Sequence, residues 1–185
     1  MIDLDRETLV KMIDHTELNA HSGEKKIANL CSEARSFGFY AVCINGAYTR
    51  YAKELLAGSG VLVCTVAGFP LGAGTSAAKA YEAGDAVRNG AAEVDMVINV
   101  GALRDKRCDL VRDDIRAVVE ASRPALVKVI LETGYLTDEE IVVSCRLAVE
   151  AGVQIIRAHD VVETVQALRM TEAILANRTN ECGKL

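Results

Sequence analysis

Five short runs of nearly continuous apolar, β-branched sequence, spaced regularly along the chain, constrain its fold more than any other feature. They lie at residues 40–45, 61–68, 93–100, 125–133 and 153–159. A strand with one wet face alternates apolar and polar residues. A strand covered on both faces is apolar throughout, which is the condition of a parallel sheet. Between these runs, residues 24–37, 75–89, 110–122 and 138–151 carry a helical period. Phe37-Gly38, Asn89-Gly90 and Ala151-Gly152 each place a glycine where a helix ends in a left-handed cap. Thr137-Asp138-Glu139-Glu140 predicts a capping box, with Thr137 as N-cap and Glu140 reaching back to it. Residues 13–16 predict a further short strand, preceded by an extra N-terminal helix over 5–12.

Strand starts about 20–30 residues apart, with no hairpin signals, define βα units and a parallel α/β class. An open doubly wound sheet and a β/α barrel both satisfy this pattern. No GxGxxG or GxxxxGK[ST] follows the first strand, so nucleotide fingerprints are absent from that position. About six βα units in one domain spanning 1–185 fall short of the ~200 residues an eight-stranded barrel needs, so a TIM-type (β/α) barrel here is expected to be incomplete.

Composition narrows the function classes. Half the residues are apolar, enough for a packed core, and a quarter are charged. The net charge is −5 and no basic cluster exceeds Lys25-Lys26, which argues against a nucleic-acid surface. No apolar run approaches the roughly 18 residues that cross a bilayer, and the acidic N-terminus has no secretion pattern. The six cysteines form no CxxC pair, and several lie inside apolar runs. They read as reduced thiols of a cytoplasmic protein, with no metal site and no cofactor. The expected partners are small molecules or further copies of the chain.

Ionisable residues interrupt three consecutive apolar runs. Asp95 and Asn99 share one face of their strand, as do Lys128, Ile130 and Glu132, and Arg157 and His159. A charge in such a strand costs several kcal/mol unless it is paired or hydrated. One reading is a structural ion pair between Asp95 and Lys128. The other is an enclosed polar site in which burial and a positive neighbour depress a lysine pKa and yield a nucleophilic amine. Gly68-Phe69-Pro70-Leu71-Gly72-Ala73-Gly74-Thr75 is either a plain strand-to-helix turn or a backbone cradle for an anion. Cys43 reads as a packed thiol before a reactive one, His15 as a hydrogen-bonded structural residue, and His21 as part of an exposed loop.

Five ordered motifs then resemble the deoxyribose-phosphate aldolase family over residues 8–152. They are Ile13-Asp14-His15-Thr16, Ala41-Val42-Cys43-Ile44-Asn45, Val66-Ala67-Gly68-Phe69-Pro70-Leu71-Gly72, the stretch from Glu93 to Leu103, and Leu126-Val127-Lys128-Val129-Ile130-Leu131-Glu132-Thr133. The resemblance implies a class I aldolase on a β/α barrel that cleaves 2-deoxyribose 5-phosphate to glyceraldehyde 3-phosphate and acetaldehyde. It implies a lysine Schiff base, no metal, and a proton-shuttling carboxylate at Asp95. Asp14, Thr16, Cys43 and Lys128 match positions that line the family's pocket. The family's sixth strand carries the Schiff-base lysine, and Arg157 stands in that place. An arginine stays protonated and forms no imine, which leaves Lys128 as the strand-borne amine. The family's later strands, with a second lysine and its phosphate loops, are expected to be missing.

The stretch over residues 153–177 resembles instead the last strand and helix of dihydropteroate synthase, through Ile156-Arg157-Ala158-His159-Asp160-Val161 and Glu163-Thr164-Val165-Gln166-Ala167-Leu168. That likeness implies an anion-binding role for Arg157 and His159. A gene fusion, an engineered chimera and convergence would each produce it. Two functions therefore stand: an aldolase-type lyase with Asp95 and Lys128 as catalytic groups, weak or inactive, or a non-catalytic barrel that binds phosphate or pterin-type anions or only self-associates. Unpaired strand edges of an incomplete barrel would attract a second copy, most simply in a two-fold dimer.

Overall fold

The computed structural model describes residues 6–157. Its elements are α1 (Arg6–Val10), β1 (Asp14–Glu17), α2 (Glu24–Phe37), β2 (Ala41–Ile44), α3 (Thr49–Leu55), β3 (Leu62–Ala67) and α4 (Ser76–Arg88). They continue with β4 (Glu93–Val97), α5 (Val100–Arg104), α6 (Cys108–Ala121), β5 (Leu126–Ile130), α7 (Asp138–Glu150) and β6 (Ile155–Arg157). The six strands form one sheet in chain order, and every neighbouring pair is parallel.

Contacts across that sheet show that it curls. Strands lie about 4.8 Å apart, so β1 and β5 would be roughly 19 Å apart in a flat sheet. Lys128 Nζ on β5 nevertheless lies 2.6 Å from Asp14 Oδ2 on β1. Arg157 on β6 reaches both Cys43 on β2 and Asp95 on β4. Cys64 on β3 touches both Lys128 and Asp95, so the sheet is a half-barrel whose inner face gathers side chains from all six strands.

Side-chain alternation decides which residues meet there. Val94 and Met96 of β4 and Val127 and Val129 of β5 point outward to Ala83 of α4, Ile115 and Val118 of α6 and Cys145 and Ala148 of α7. Val42, Ile44 and Val63 pack outward on Ile27, Cys31 and Ala34 of α2 and on Ala52 of α3. The intervening residues, Glu93, Asp95 and Lys128, are left facing inward.

Most of the expected elements are present. The helix over 24–37 matches its predicted bounds, and Gly38 caps it with φ 71° while donating its N–H to Ala34 O. Gly90 and Gly152 also take positive φ after their helices, and the Thr137–Glu140 capping box forms in both directions. The run predicted over 93–100 stops as a strand at Val97, because the Asn99 side chain accepts from Ala102 N and starts α5. The helix α3 and the 3-10 turn before it were not foreseen, being too short to establish a period. No described helix is long and apolar enough to cross a membrane. His159, the end of the 153–159 run and the rest of the stretch to residue 177 lie outside the described residues.

Outside the sheet, Lys79 of α4 and Asp114 of α6 form a buried pair at 2.6 Å, each with 1% of its side chain exposed. Lys79 Nζ also donates to Val97 O at 3.1 Å, tying both helices to the end of β4. The loop after β3 is equally tight: a Cβ on Gly72, where φ is +65°, would lie 1.9 Å from Ile98 O.

Candidate active site

Asp95 and Lys128 are register partners on β4 and β5, and Lys128 Nζ lies 3.3 Å from Asp95 Oδ1. The same ammonium donates to Asp14 Oδ2, lies 2.6 Å from Glu93 Oε2, and approaches Cys64 Sγ at 3.7 Å. Glu93 Oε1 accepts from the Tyr40 hydroxyl at 3.0 Å. Asp95 is held from its other side as well: Cys64 Sγ donates to Oδ1 at 3.2 Å, and Arg157 Nη1 pairs with Oδ2. Glu93 and Asp95 are wholly buried, whereas 38% of the Arg157 side chain is exposed, so Arg157 forms the wet wall of this cage.

A cavity of about 500 Å³, bordered by Asp14, Tyr40, Glu93, Lys128, Ile156 and Arg157, adjoins the cage. Asp14 and Glu93 are the first residues of β1 and β4, so this cavity opens at the N-terminal ends of those strands. In β/α barrels the chemistry sits at the opposite, C-terminal ends. The cavity beside the cage is therefore not the mouth expected from the strand pattern.

The electrostatics reverse one expectation. Burial alone would drive Lys128 toward the neutral amine, but Cys64, Asp95, Asp14 and Glu93 outweigh it and hold the ammonium above the ordinary lysine range. A depressed lysine needs a positive neighbour or uncompensated burial, and here three carboxylates surround the group. Arg157 is likewise pushed up, with the Asp95 carboxylate overcoming its burial. The hydrogen bond from Cys64 lowers the Cys43 thiol against the opposing effect of burial, with help from Arg157. Cys64, the donor of that bond, is pushed well above the usual thiol range.

The structure brings together Asp14, Cys43, Asp95, Lys128 and Arg157 of the residues singled out in the sequence. Thr16 shares the inner face of β1 but is exposed, and its hydroxyl donates to Asp14 O. Asn99 caps a helix and takes no part. In the loop after β3, Gly68 N donates to Glu82 Oε2 and Gly72 N to Gly68 O, so these two donors are spent within the protein as in a plain turn. His15 bonds Glu33 at 2.7 Å and packs edge-on to Phe39, a structural role, and His21 is exposed.

Glu93, Cys64 and Tyr40 were missed. Glu93 had a signal, standing two residues before Asp95 and therefore on the same face. Two sets of donor atoms, Cys43/Cys64/Asp95 and Asp14/Cys64/Glu93, lie within 4.8 Å of one another, a grouping the spacing of these residues does not reveal. Lys128 and Arg157 already sit on these donors, and their charge opposes a divalent ion.

A curled parallel β/α sheet with its ionisable residues gathered inside defines a protein of the TIM-barrel type. The profile of the DeoC/LacD family aldolases matches residues 8–173, and the chain belongs to that family. Deoxyribose-phosphate aldolase of Lysinibacillus sphaericus (strain C3-41) is 55% identical over 152 residues, which cover 82% of this chain and 68% of that protein. A crystal structure of a candidate deoxyribose-phosphate aldolase from Coccidioides immitis superposes with a TM-score of 0.86 at 36% identity, covering 92% of this chain and 70% of that one. The tetrameric deoxyribose phosphate aldolase of Aeropyrum pernix gives 0.82 at 27% identity, over 90% of this chain and 75% of that one.

Proposed function

We propose that this protein is an aldehyde lyase of the class I deoxyribose-phosphate aldolase type. In this reading Lys128 is the amine and Asp95 the proton carrier, acting on 2-deoxyribose 5-phosphate. The observation that supports it is the buried approach of Lys128 Nζ to Asp95 Oδ1, at 3.3 Å, inside a member of this family. The neutral amine would add to the sugar's C1 aldehyde and, with one proton taken up from solvent, lose water to give an iminium ion. Asp95 would take the proton of the C3 hydroxyl, and the C2–C3 bond would break. The electron pair would then pass into an enamine, and glyceraldehyde 3-phosphate would depart. Return of the proton to C2 and hydrolysis would release acetaldehyde and the free lysine.

The carboxylate cage sets the rate. An ordinary lysine is already only about one part in a thousand neutral near pH 7.4, and Lys128 lies on the more basic side of ordinary. Turnover is therefore slow at neutral pH and rises as the solution becomes more alkaline. Borohydride reduction in the presence of acetaldehyde tests this by mass. An adduct that maps to Lys128 and grows with pH is expected; its absence, or its survival in Lys128→Ala, overturns the assignment.

The ammonium state of Lys128 and the exposed Arg157 guanidinium favour a second reading, a non-catalytic site for phosphate or pterin-type anions. Calorimetric heat with inorganic phosphate that vanishes in Arg157→Ala, alongside no borohydride adduct, would select it. The protein is also proposed to be cytoplasmic and to self-associate, a reading the tetrameric relative supports. A monodisperse monomer by light scattering at micromolar concentration would contradict the latter.

A further inference from the structure

We infer that Cys43 and Cys64 are a paired oxidation site, in which a hydroperoxide drives a reversible disulfide between β2 and β3 inside the cage. The two residues are register partners on adjacent parallel strands, with both side chains on the inner face. Paired strands hold their Cα atoms about 4.8 Å apart, inside the 4.4–6.8 Å range that a disulfide spans. The sulfurs already lie within 4.8 Å of each other, so rotation about the side chains is enough to close the bond.

The two thiols have unequal roles. The hydrogen bond from Cys64, and with it Arg157 Nη1 at 3.9 Å from Cys43 Sγ, favours a thiolate at Cys43 against burial and the Asp95 carboxylate, while Cys64 keeps its proton. Thiolate character makes Cys43 the attacking sulfur and Cys64 the resolving one. Both side chains are buried, but Arg157 and Lys128, which touch the two sulfurs, border the cavity of about 500 Å³. A molecule as small as hydrogen peroxide can enter there. Cys31 and Cys145 lie on α2 and α7, outside the sheet, and burial pushes both thiols up, Cys145 to about 11.

The chemistry balances in two steps. The Cys43 thiolate attacks one peroxide oxygen, the O–O bond breaks, and with one proton taken up the products are Cys43 sulfenic acid and water. Cys64 sulfur then displaces the sulfenic hydroxyl, its own proton leaves with that hydroxyl as a second water, and the S–S bond forms. Peroxide is reduced and two thiols are oxidised. The bond removes the Cys64 thiol donor that lies 3.2 Å from Asp95 Oδ1. That consequence rests on the aldolase reading, whereas the crosslink itself does not.

The test is peptide mapping of the full, unmutated chain after hydrogen peroxide treatment and blocking of free thiols. Trypsin cuts at Arg35 and Arg50 on either side of Cys43, and at Lys53 and Lys79 on either side of Cys64. The two thiols therefore fall on separate peptides, and their crosslink is read directly. A joined pair that is two hydrogens lighter, released by dithiothreitol and lost in Cys64→Ser, is expected. Over-oxidation of Cys43 with no crosslink, a crosslink to any other cysteine, or both thiols remaining free would each overturn the inference. No substrate enters this assay, so its failure is distinct from failure of the aldolase assignment.

Discussion

Replacing Lys79 with methionine removes the positive half of the Lys79–Asp114 pair and little of its volume. The two side chains are 1% exposed, and Asp114 Oδ1 already has no partner. The variant leaves a buried carboxylate without its cation and Val97 O without a donor that now reaches it at 3.1 Å. Breaking a buried pair from one side costs about 3–5 kcal/mol, whereas exchanging both members for apolar residues of similar size is often neutral or stabilising. In a domain of this length each kcal/mol moves the melting temperature by about 2–4 °C, so Lys79→Met should lower it by roughly 6–20 °C. The double variant Lys79→Met, Asp114→Leu should recover most of that loss. Thermal and urea unfolding of the parent, both single variants and the double variant give the coupling energy as a double-mutant cycle. A loss below about 1 kcal/mol in Lys79→Met, or a double variant no better than the single, would refute the view that this pair is a desolvated ion pair.

Three further outcomes follow from the geometry. Arg157→Lys puts an amine at the position where the family resemblance calls for one, and a second borohydride-trapped site mapping to residue 157 should appear; an adduct count unchanged from the parent would reject that equivalence. Glu17 is held down to about 2 from an ordinary 4.5 by Lys26 first and then by the Asn19 amide, so its contribution to stability is full above 4.5 and is lost as pH falls toward 2. The stability gap between the parent and Glu17→Gln should accordingly close over that acid window, and a gap independent of pH would disprove the linkage. Gly72→Ala meets both the positive φ and the Ile98 carbonyl, and should cost about 2–5 kcal/mol in urea unfolding, with an unchanged midpoint as the refuting result.

Five of the six strands were legible because a strand covered on both faces of a parallel sheet leaves a nearly continuous apolar run, whereas β1, Asp14-His15-Thr16-Glu17 at the edge, leaves none. Helix ends were equally legible at Gly38 and Thr137, where local backbone chemistry alone sets the stop and the start. The pairing of Asp95 with Lys128 was one of two readings that the charges in those adjacent runs allowed. What sequence could not supply was the company Lys128 keeps. Its partner Asp14 lies 114 residues away and reaches it only because the sheet curls, and that company reverses the expected direction of the amine's titration. Lys79 and Asp114 were invisible for a related reason. A charged residue on a helix looks solvated until a second helix is laid over it.

Strand order equal to chain order has a consequence for synthesis. Each strand can dock on the one made just before it, so the sheet and its helical layer can grow as the chain emerges from the ribosome. Asp14 of β1 and Glu93 and Asp95 of β4 have no such local cation and must wait for β5 to bring Lys128 and for β6 to bring Arg157. A translation intermediate halted before residue 128 would carry a formed scaffold around an unneutralised acidic hollow. Assembly of the scaffold and assembly of its chemistry are thus separate events in time.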